Sequence, residues 1–488
     1  MTLEETLAAI AADGTADAGM LMTGIAADYL AASARGDAPV SRWEEPAALA
    51  ARFDEPLPTG GMTLREVAGR VRDEVVENAN WLAHPMAMGH QVSPPLPAAV
   101  WADVVTSALN NSLAVREMSP TLTHVERRVV RWMCDALGFG AGSGGTFTSG
   151  GTEATLAALL AARARRVPDA WRDGMGDVRA VVLCGAHAHY AVSRAVGVMG
   201  LGTRQLISVP TAGHRIDPRA LRERLAALRA EGRVAVAVVA TSGHTATGSF
   251  DDLDAVADLC AEQPAEAGDA RGVWLHVDGA HGASAILSAA HRHRLRGIAR
   301  ADSVAWDPHK MMLTPLASGM LLVRDERSLE RAFAQQAPYL FQPTEDGVTP
   351  DIGVRSLQCS RRGDALKVWV ALQRYGADGI AALYDHLVAL TGALHSRLAA
   401  HPRFEALHEA ETNILCFRFV GDGSLGEEAL DEVNRRLRER YNRSGAGWIT
   451  ATMLDGRRVL RVTIMNPRTT EGHLDRLVEG LDEVGRGM

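Results

Sequence analysis

The sequence predicts an α/β fold on a mostly parallel central sheet, with an N-terminal helical segment and a small C-terminal α+β domain. Three observations carry this. From about residue 145 to 325, short apolar runs alternate with helix-forming stretches, the mark of strands joined by crossover helices. The runs are apolar throughout, as in "VAVAVVA" at 234–240, which fits strands covered on both faces. The first hundred residues are Ala-rich and broken by turn signals such as "ADGTADAG", "GDAP" and "SPPLP", and they carry no strand character.

The elements follow in order. Residues 1–100 read as an N-terminal helical arm. "WADVVTSALNNSLAV" (101–115) and "THVERRVVRWMCDALGF" (123–139) have helical spacing. "GGTFTSGG" leads into the helix former "TEATLAALLAARARR". Strands are expected at 179–185, 203–210, 234–243, 273–280, 301–310 and 318–325. The intervening helices are expected at 189–200, 217–232 and 251–262, the second opened by Asp217-Pro218. This large domain spans 101–355. The smaller domain, 356–488, combines a long helix (364–401), a strand "NILCFRFV", a helix over 425–441 and a strand "RVLRVTIMN".

Composition narrows the functional class. The chain has 488 residues, 47% of them hydrophobic, and a net charge of −8. That mild acidity is spread along the chain and favours neither nucleic acid nor an anionic membrane. Five scattered cysteines without a CxxC argue against a disulfide framework or a zinc site. The acidic start "MTLEETLAAIAADG" lacks the basic region of a signal peptide. No apolar run approaches a membrane span. The expectation is a soluble cytoplasmic protein.

Four stretches carry chemistry. In "TSGGTEATLAALLAAR" (148–163), Gly150 and Gly151 allow close backbone approach, and Thr152 opens a helix whose free N–H groups favour an anion. Alone, this also reads as an ordinary helix start. In "GAHAHYAVSR" (185–194), His189 follows a strand and can stack on a flat ring, or be incidental. In "VWLHVDGAHGA" (273–283), Asp278 ends an apolar strand, where open α/β sheets place ligands; an N-cap is the plainer alternative. In "VAWDPHKMML" (304–313), Lys310 sits in an apolar setting. It is either a snorkelling side chain or a desolvated amine able to form a Schiff base with an aldehyde. Together the four supply a phosphate cradle, a stacking ring, a carboxylate and an amine. Pyridoxal phosphate needs all four.

With these residues in view, the chain resembles the group II pyridoxal-phosphate-dependent amino-acid decarboxylases: the aromatic-amino-acid, glutamate, cysteine-sulfinate and 2,4-diaminobutyrate enzymes. "HVDGAHGA" and "DPHKMM" are the most specific pieces. "EPLPTGGM", "SPTLTHVE" and "LRVTIMNPRTTEGHLDRL" extend the likeness over nearly the whole chain. The resemblance implies a fold-type I, aspartate-aminotransferase-like architecture and decarboxylation of an L-amino acid to its amine. It implies that Lys310 bonds to the cofactor aldehyde, that Asp278 pairs with the ring nitrogen and that His189 stacks on the ring. Gly151, Thr152, Ser303 and His309 would lie near the phosphate or the lysine bond, and Thr245 and Ala280 near the ring. Tyr339 matches a loop tyrosine that protonates Cα, in a loop that reaches the partner subunit's site, so a homodimer with shared sites is implied.

Four departures from the family pattern bear on substrate choice. Asp307 stands where many relatives have Asn; a carboxylate beside phosphate is repulsive, so Asp307 is expected to point away or to pair with an arginine. Gly279 replaces Ala, His281 stands where aromatic-specific relatives carry Tyr or Trp, and His244 interrupts a Gly-Thr-Thr. Arg355, Arg361, Arg362 and Arg461 are open candidates for a substrate carboxylate, each equally readable as a surface or phosphate-facing residue. Rival outcomes on the same cofactor are aldehyde-forming oxidative deamination, carbon–carbon lyase or transaminase chemistry, and binding without turnover. Tyr339 favours decarboxylation among them.

Overall fold

The computed structural model describes residues 1–263, 272–333, 341 and 351–488. They form two compact units. One comprises Pro95–Thr391 with His408–Leu415; the other comprises Met1–Pro94, Gly392–Leu407 and Cys416–Met488.

The first of these units is built on a seven-stranded sheet. Its strands are β1 (Gly144–Thr148), β2 (Ala180–Gly185), β3 (Leu206–Val209), β4 (Val234–Thr241), β5 (Trp274–Asp278), β6 (Ser303–Trp306) and β7 (Gly319–Val323). They lie in the order β1-β7-β6-β5-β4-β2-β3. The pairs from β3 through β6 are parallel, and β7 runs antiparallel to both β6 and β1. The predicted α/β class and mostly parallel sheet are therefore present, with β1 as an edge strand that the sequence reading left unassigned. β2, β5, β6 and β7 are buried along their whole length, which accounts for their unbroken apolar runs. The helix Gly151–Arg166 packs on this sheet through small side chains, Ala154, Ala157, Ala158 and Ala161. Small residues let the helix axis come close, and that fixes where its N-terminus lies.

Register then brings the functional ends together. Thr241 pairs with Asp278 across β4 and β5, and Asp278 with Ala305 across β5 and β6. Three parallel strands thus end level, at the carboxyl edge where such sheets bind ligands.

The other unit joins both chain ends. A four-stranded sheet of β8 (Phe404–Ala406), β9 (Ile414–Phe419), β10 (Thr450–Leu454) and β11 (Arg457–Thr463) lies in the order β8-β9-β11-β10. β10 was not anticipated from the sequence. The N-terminal stretch is tied in by its backbone: Met88 N–H donates to Trp448 O at 2.9 Å, and Thr463 N–H to Met88 O at 2.9 Å. The expected long helix, Ala365–Ala400, is two helices. Gly376, at φ 69° and ψ 167°, breaks it in a conformation that glycine tolerates. No helix among the described residues is long and apolar enough to cross a membrane.

Candidate active site

At the level strand ends lies a cavity of about 340 Å³. Its walls come from the turn and helix start 149–152, His189, the ends of β4 and β5, and the loop 307–310 after β6. Of the ten residues given a catalytic or cofactor-binding role from the sequence, Gly151, Thr152, His189, Thr245, Asp278, Ala280, His309 and Lys310 line it, as do Gly150, His281 and Asp307.

The loop after β6 is held from several sides. His309 Nδ1 lies 2.6 Å from Ser318 O. Burial pushes its imidazole below the ordinary histidine range, and Asp307 pulls the other way. Lys367, fully buried, donates to Ala317 O at 3.0 Å and pairs with Asp103 and Asp364 at 3.0 and 3.1 Å. This fixes the chain one residue before Ser318. Lys310 Nζ lies 3.3 Å from Asp307 Oδ2.

Asp278 is buried on the cavity wall. Its Oδ1 accepts a hydrogen bond from Ala280 N–H at 3.2 Å, and it has no salt bridge among the described residues. A buried carboxylate without a cation normally awaits one. His189 caps the helix Tyr190–Val198: Nδ1 accepts from Ala191 N–H at 3.2 Å, so the neutral ring carries its proton on Nε2. Burial lowers its basicity, against the opposing pull of Asp278.

The opposite end suits an anion. The helix 151–166 has Gly150 at its N-cap, no capping side chain among the described residues, and its first two residues on the cavity wall, a helix start that favours an anion. A Cβ on Gly151 would stand 2.9 Å from Ala280 Cβ, too close for any side chain. Glu153 in the first turn is occupied by Ser149 N–H and Oγ–H, each at 2.8 Å, and by Gln358 at 2.7 Å.

Some expectations need correction. Ser303 is not on the wall. Its hydroxyl accepts from Trp274 Nε1 at 2.8 Å and meets His276 Nδ1 at 2.9 Å in the core, because strand alternation turns it to the packed face. Asp307 neither points away nor finds an arginine; its partner is Lys310. Arg355 pairs with Glu326 and Glu330, Arg361 with Glu126, and Arg362 with Asp103, so acids within the protein already hold them. Arg461 belongs to the unit of the chain ends, where Thr450 Oγ1 lies 3.5 Å from its Nη1. His244 turns from the cavity to Asp251 at 3.3 Å, the carboxylate that accepts from Thr241 N–H and Ile216 N–H. Tyr339 lies outside the described residues. The sequence reading missed Ser149, Thr241, Gly243 and Leu316 as wall residues. His281, marked in the sequence as bearing on substrate choice, does line the cavity, and its Nε2 lies 2.6 Å from Asn413 Oδ1, a partner the sequence did not show. Only the chain reversal that brings residue 413 to this wall reveals that pair.

An amine, a buried carboxylate lacking a cation, a neutral ring and an uncapped helix start fit pyridoxal phosphate. Comparison with known proteins agrees. The family described as the pyridoxal-dependent decarboxylase conserved domain matches residues 46–420. The L-2,4-diaminobutyrate decarboxylase of Rhizobium meliloti (strain 1021) is 33% identical over 89% of this chain and 84% of its own. The cysteine sulfinic acid decarboxylase of Rattus norvegicus is 32% identical over 92% of each. The crystal structure of mouse CSAD superposes with a TM-score of 0.89 at 30% identity, covering 96% of this chain and 98% of that one.

Proposed function

The chain belongs to the pyridoxal-dependent decarboxylase family, and from that membership we propose how its cavity works. The reaction is decarboxylation of an amino acid to an amine and carbon dioxide, with pyridoxal phosphate as cofactor. One observation carries the assignment: Lys310, Asp278 and the uncapped start of helix 151–166 converge on a single cavity.

Lys310 would take the cofactor's aldehyde, Gly151 and Thr152 its phosphate, and Asp278 its ring nitrogen. His189 would cover the ring, with Thr245, Ala280 and His309 completing the walls. When bound, the cofactor supplies the sink for the electron pair left as carbon dioxide departs. Asp278, buried on the cavity wall, would favour a protonated ring nitrogen in the bound cofactor, since a buried anion strongly favours a cation beside it. His189 stays neutral, which lets it lie against a heterocycle without adding charge. Tyr339 is assigned the return of a proton to the substrate Cα, and His189 Nε2–H is a second donor at the cavity.

The substrate side chain is polar and not aromatic in this reading. The support is His281 on the wall, held by Asn413 behind it, together with relatives named for diaminobutyrate and cysteine sulfinic acid. A homodimer with shared sites completes the proposal, supported by exposed Leu3, Leu7, Ile10, Met20 and Phe53 in the N-terminal helices and turns, apolar surface that a second copy would cover. Cytoplasmic location is supported by five free cysteines, four of them buried.

Lys310→Ala is expected to lose the visible absorbance that borohydride fixes in the wild type, and to lose carbon dioxide release. A variant that keeps a borohydride-fixed chromophore refutes the anchor. In the same assay with 2,4-diaminobutyrate, cysteine sulfinate, glutamate and tryptophan, a preference for tryptophan refutes the polar-substrate reading.

A further inference from the structure

We propose that Asp307 is a positioning residue whose charge competes with the cofactor's phosphate, so that phosphate entry is coupled to uptake of a proton by Asp307. This rests on the cavity assignment above.

Asp307 follows β6 directly, and its N–H donates to Ala280 O at 3.2 Å. Its side chain is only 3% exposed. Oδ2 lies 3.3 Å from Lys310 Nζ and 3.5 Å from His309 Nε2, while Oδ1 is buried with no hydrogen-bond partner among the described residues. The carboxylate rests against the start of helix 151–166: a Cβ on Gly151 would stand 3.2 Å from Oδ2, and one on Gly319 2.8 Å from Oδ1. Without cofactor, Asp307 is therefore the anion at this helix terminus, and Lys310 is its counter-ion.

Loading changes both sides of that balance. A phosphate at the same terminus adds a second anion, and Lys310 is committed to the aldehyde. Two anions sharing one enclosed place cannot both keep their full charge cheaply. Other groups facing Asp307 offer no replacement cation. His309 and His189 are held towards neutrality by burial. Asp278 adds negative charge across the cavity. Glu153 is occupied by Ser149 and Gln358, and Lys367 by Asp103 and Asp364. Among the described residues no arginine lines the cavity. The proton is the remaining cation, and the unpartnered Oδ1 is a place for it.

The test is titration calorimetry of the cofactor-free, full-length protein with pyridoxal phosphate, in buffers of different ionisation enthalpy, and with inorganic phosphate as a competing probe. Asp307→Asn, isosteric and neutral, is expected to take up about one proton fewer than the wild type at pH 8. It is also expected to bind both probes more tightly, by a margin that widens about tenfold for each pH unit gained, as uptake of one proton by the wild type alone requires. Asp307→Ser, smaller and equally uncharged, must show the same loss of proton uptake, which separates charge from any packing defect. Unchanged proton uptake in both variants, or weaker phosphate binding by them, overturns the proposal and leaves the cavity assignment standing. A wild type that takes up no pyridoxal phosphate overturns both.

Discussion

Removing one partner of the Glu126–Arg361 ion pair tests how the phosphate end of the cavity is held in place. Arg361 grips Glu126 through two bonds, at 2.8 and 2.7 Å, and the side chains are 3% and 2% exposed. Glu126 Oε1 also accepts from Phe147 N–H at 3.1 Å, so this carboxylate joins helix Pro120–Ala136, the loop before helix 365–400, and β1 just ahead of Ser149–Gly151. Arg361→Met keeps most of the volume and strands a buried carboxylate with a single N–H. The expected cost is about 3–5 kcal/mol. With unfolding entropy near ~2.1 cal/mol/K per residue over the whole chain, that is a fall in Tm of roughly 3–5 °C. Differential scanning calorimetry measures it, and cofactor affinity should weaken as β1 loosens. The double variant Glu126→Leu/Arg361→Met removes both charges and is expected to recover at least ~2 kcal/mol of the single variant's loss. A loss below about 1 kcal/mol for the single variant, or a double variant as unstable as the summed singles, refutes the reasoning.

Two further outcomes are expected. Asp278→Asn keeps the acceptor for Ala280 N–H and deletes only the charge; carbon dioxide release should fall by about 10²–10³-fold at full cofactor loading, and turnover within threefold of wild type would count against the electrostatic role. His276 is buried with its imidazole pushed down to about 4 by desolvation, so the folded state resists protonation. The stability it contributes is fully present above ~6.5 and drains away as pH falls towards 4, about 3 kcal/mol in total. His276→Gln should flatten that acid limb in Tm-against-pH scans, and an unchanged limb rejects the assignment.

The residues named from local chemistry and those found only in space differ in kind. Lys310, Asp278, His189 and Gly151 were legible because each sits at a strand end or helix start, where a short motif announces a chemical group. Ser303 misled because a serine near a motif says nothing about which face of β6 it occupies. The arginines were ambiguous because a guanidinium's partner is set by distant chain: Glu126 is 235 positions from Arg361. His281 stood out in the sequence as a departure from the family pattern, but its partner Asn413 is 132 positions away.

The sequence by itself determined the alternating elements, the apolar strands and the cofactor class. Hydrophobic periodicity and motif chemistry are properties of neighbouring residues, and no long-range information is needed to read them. Tertiary structure decided that Thr241, Asp278 and Ala305 stand level, that both chain ends build one unit, and that Asp307 faces Lys310 at the start of a helix. Those facts depend on strand register and close packing between distant segments, where a shift of one residue turns every side chain to the other face.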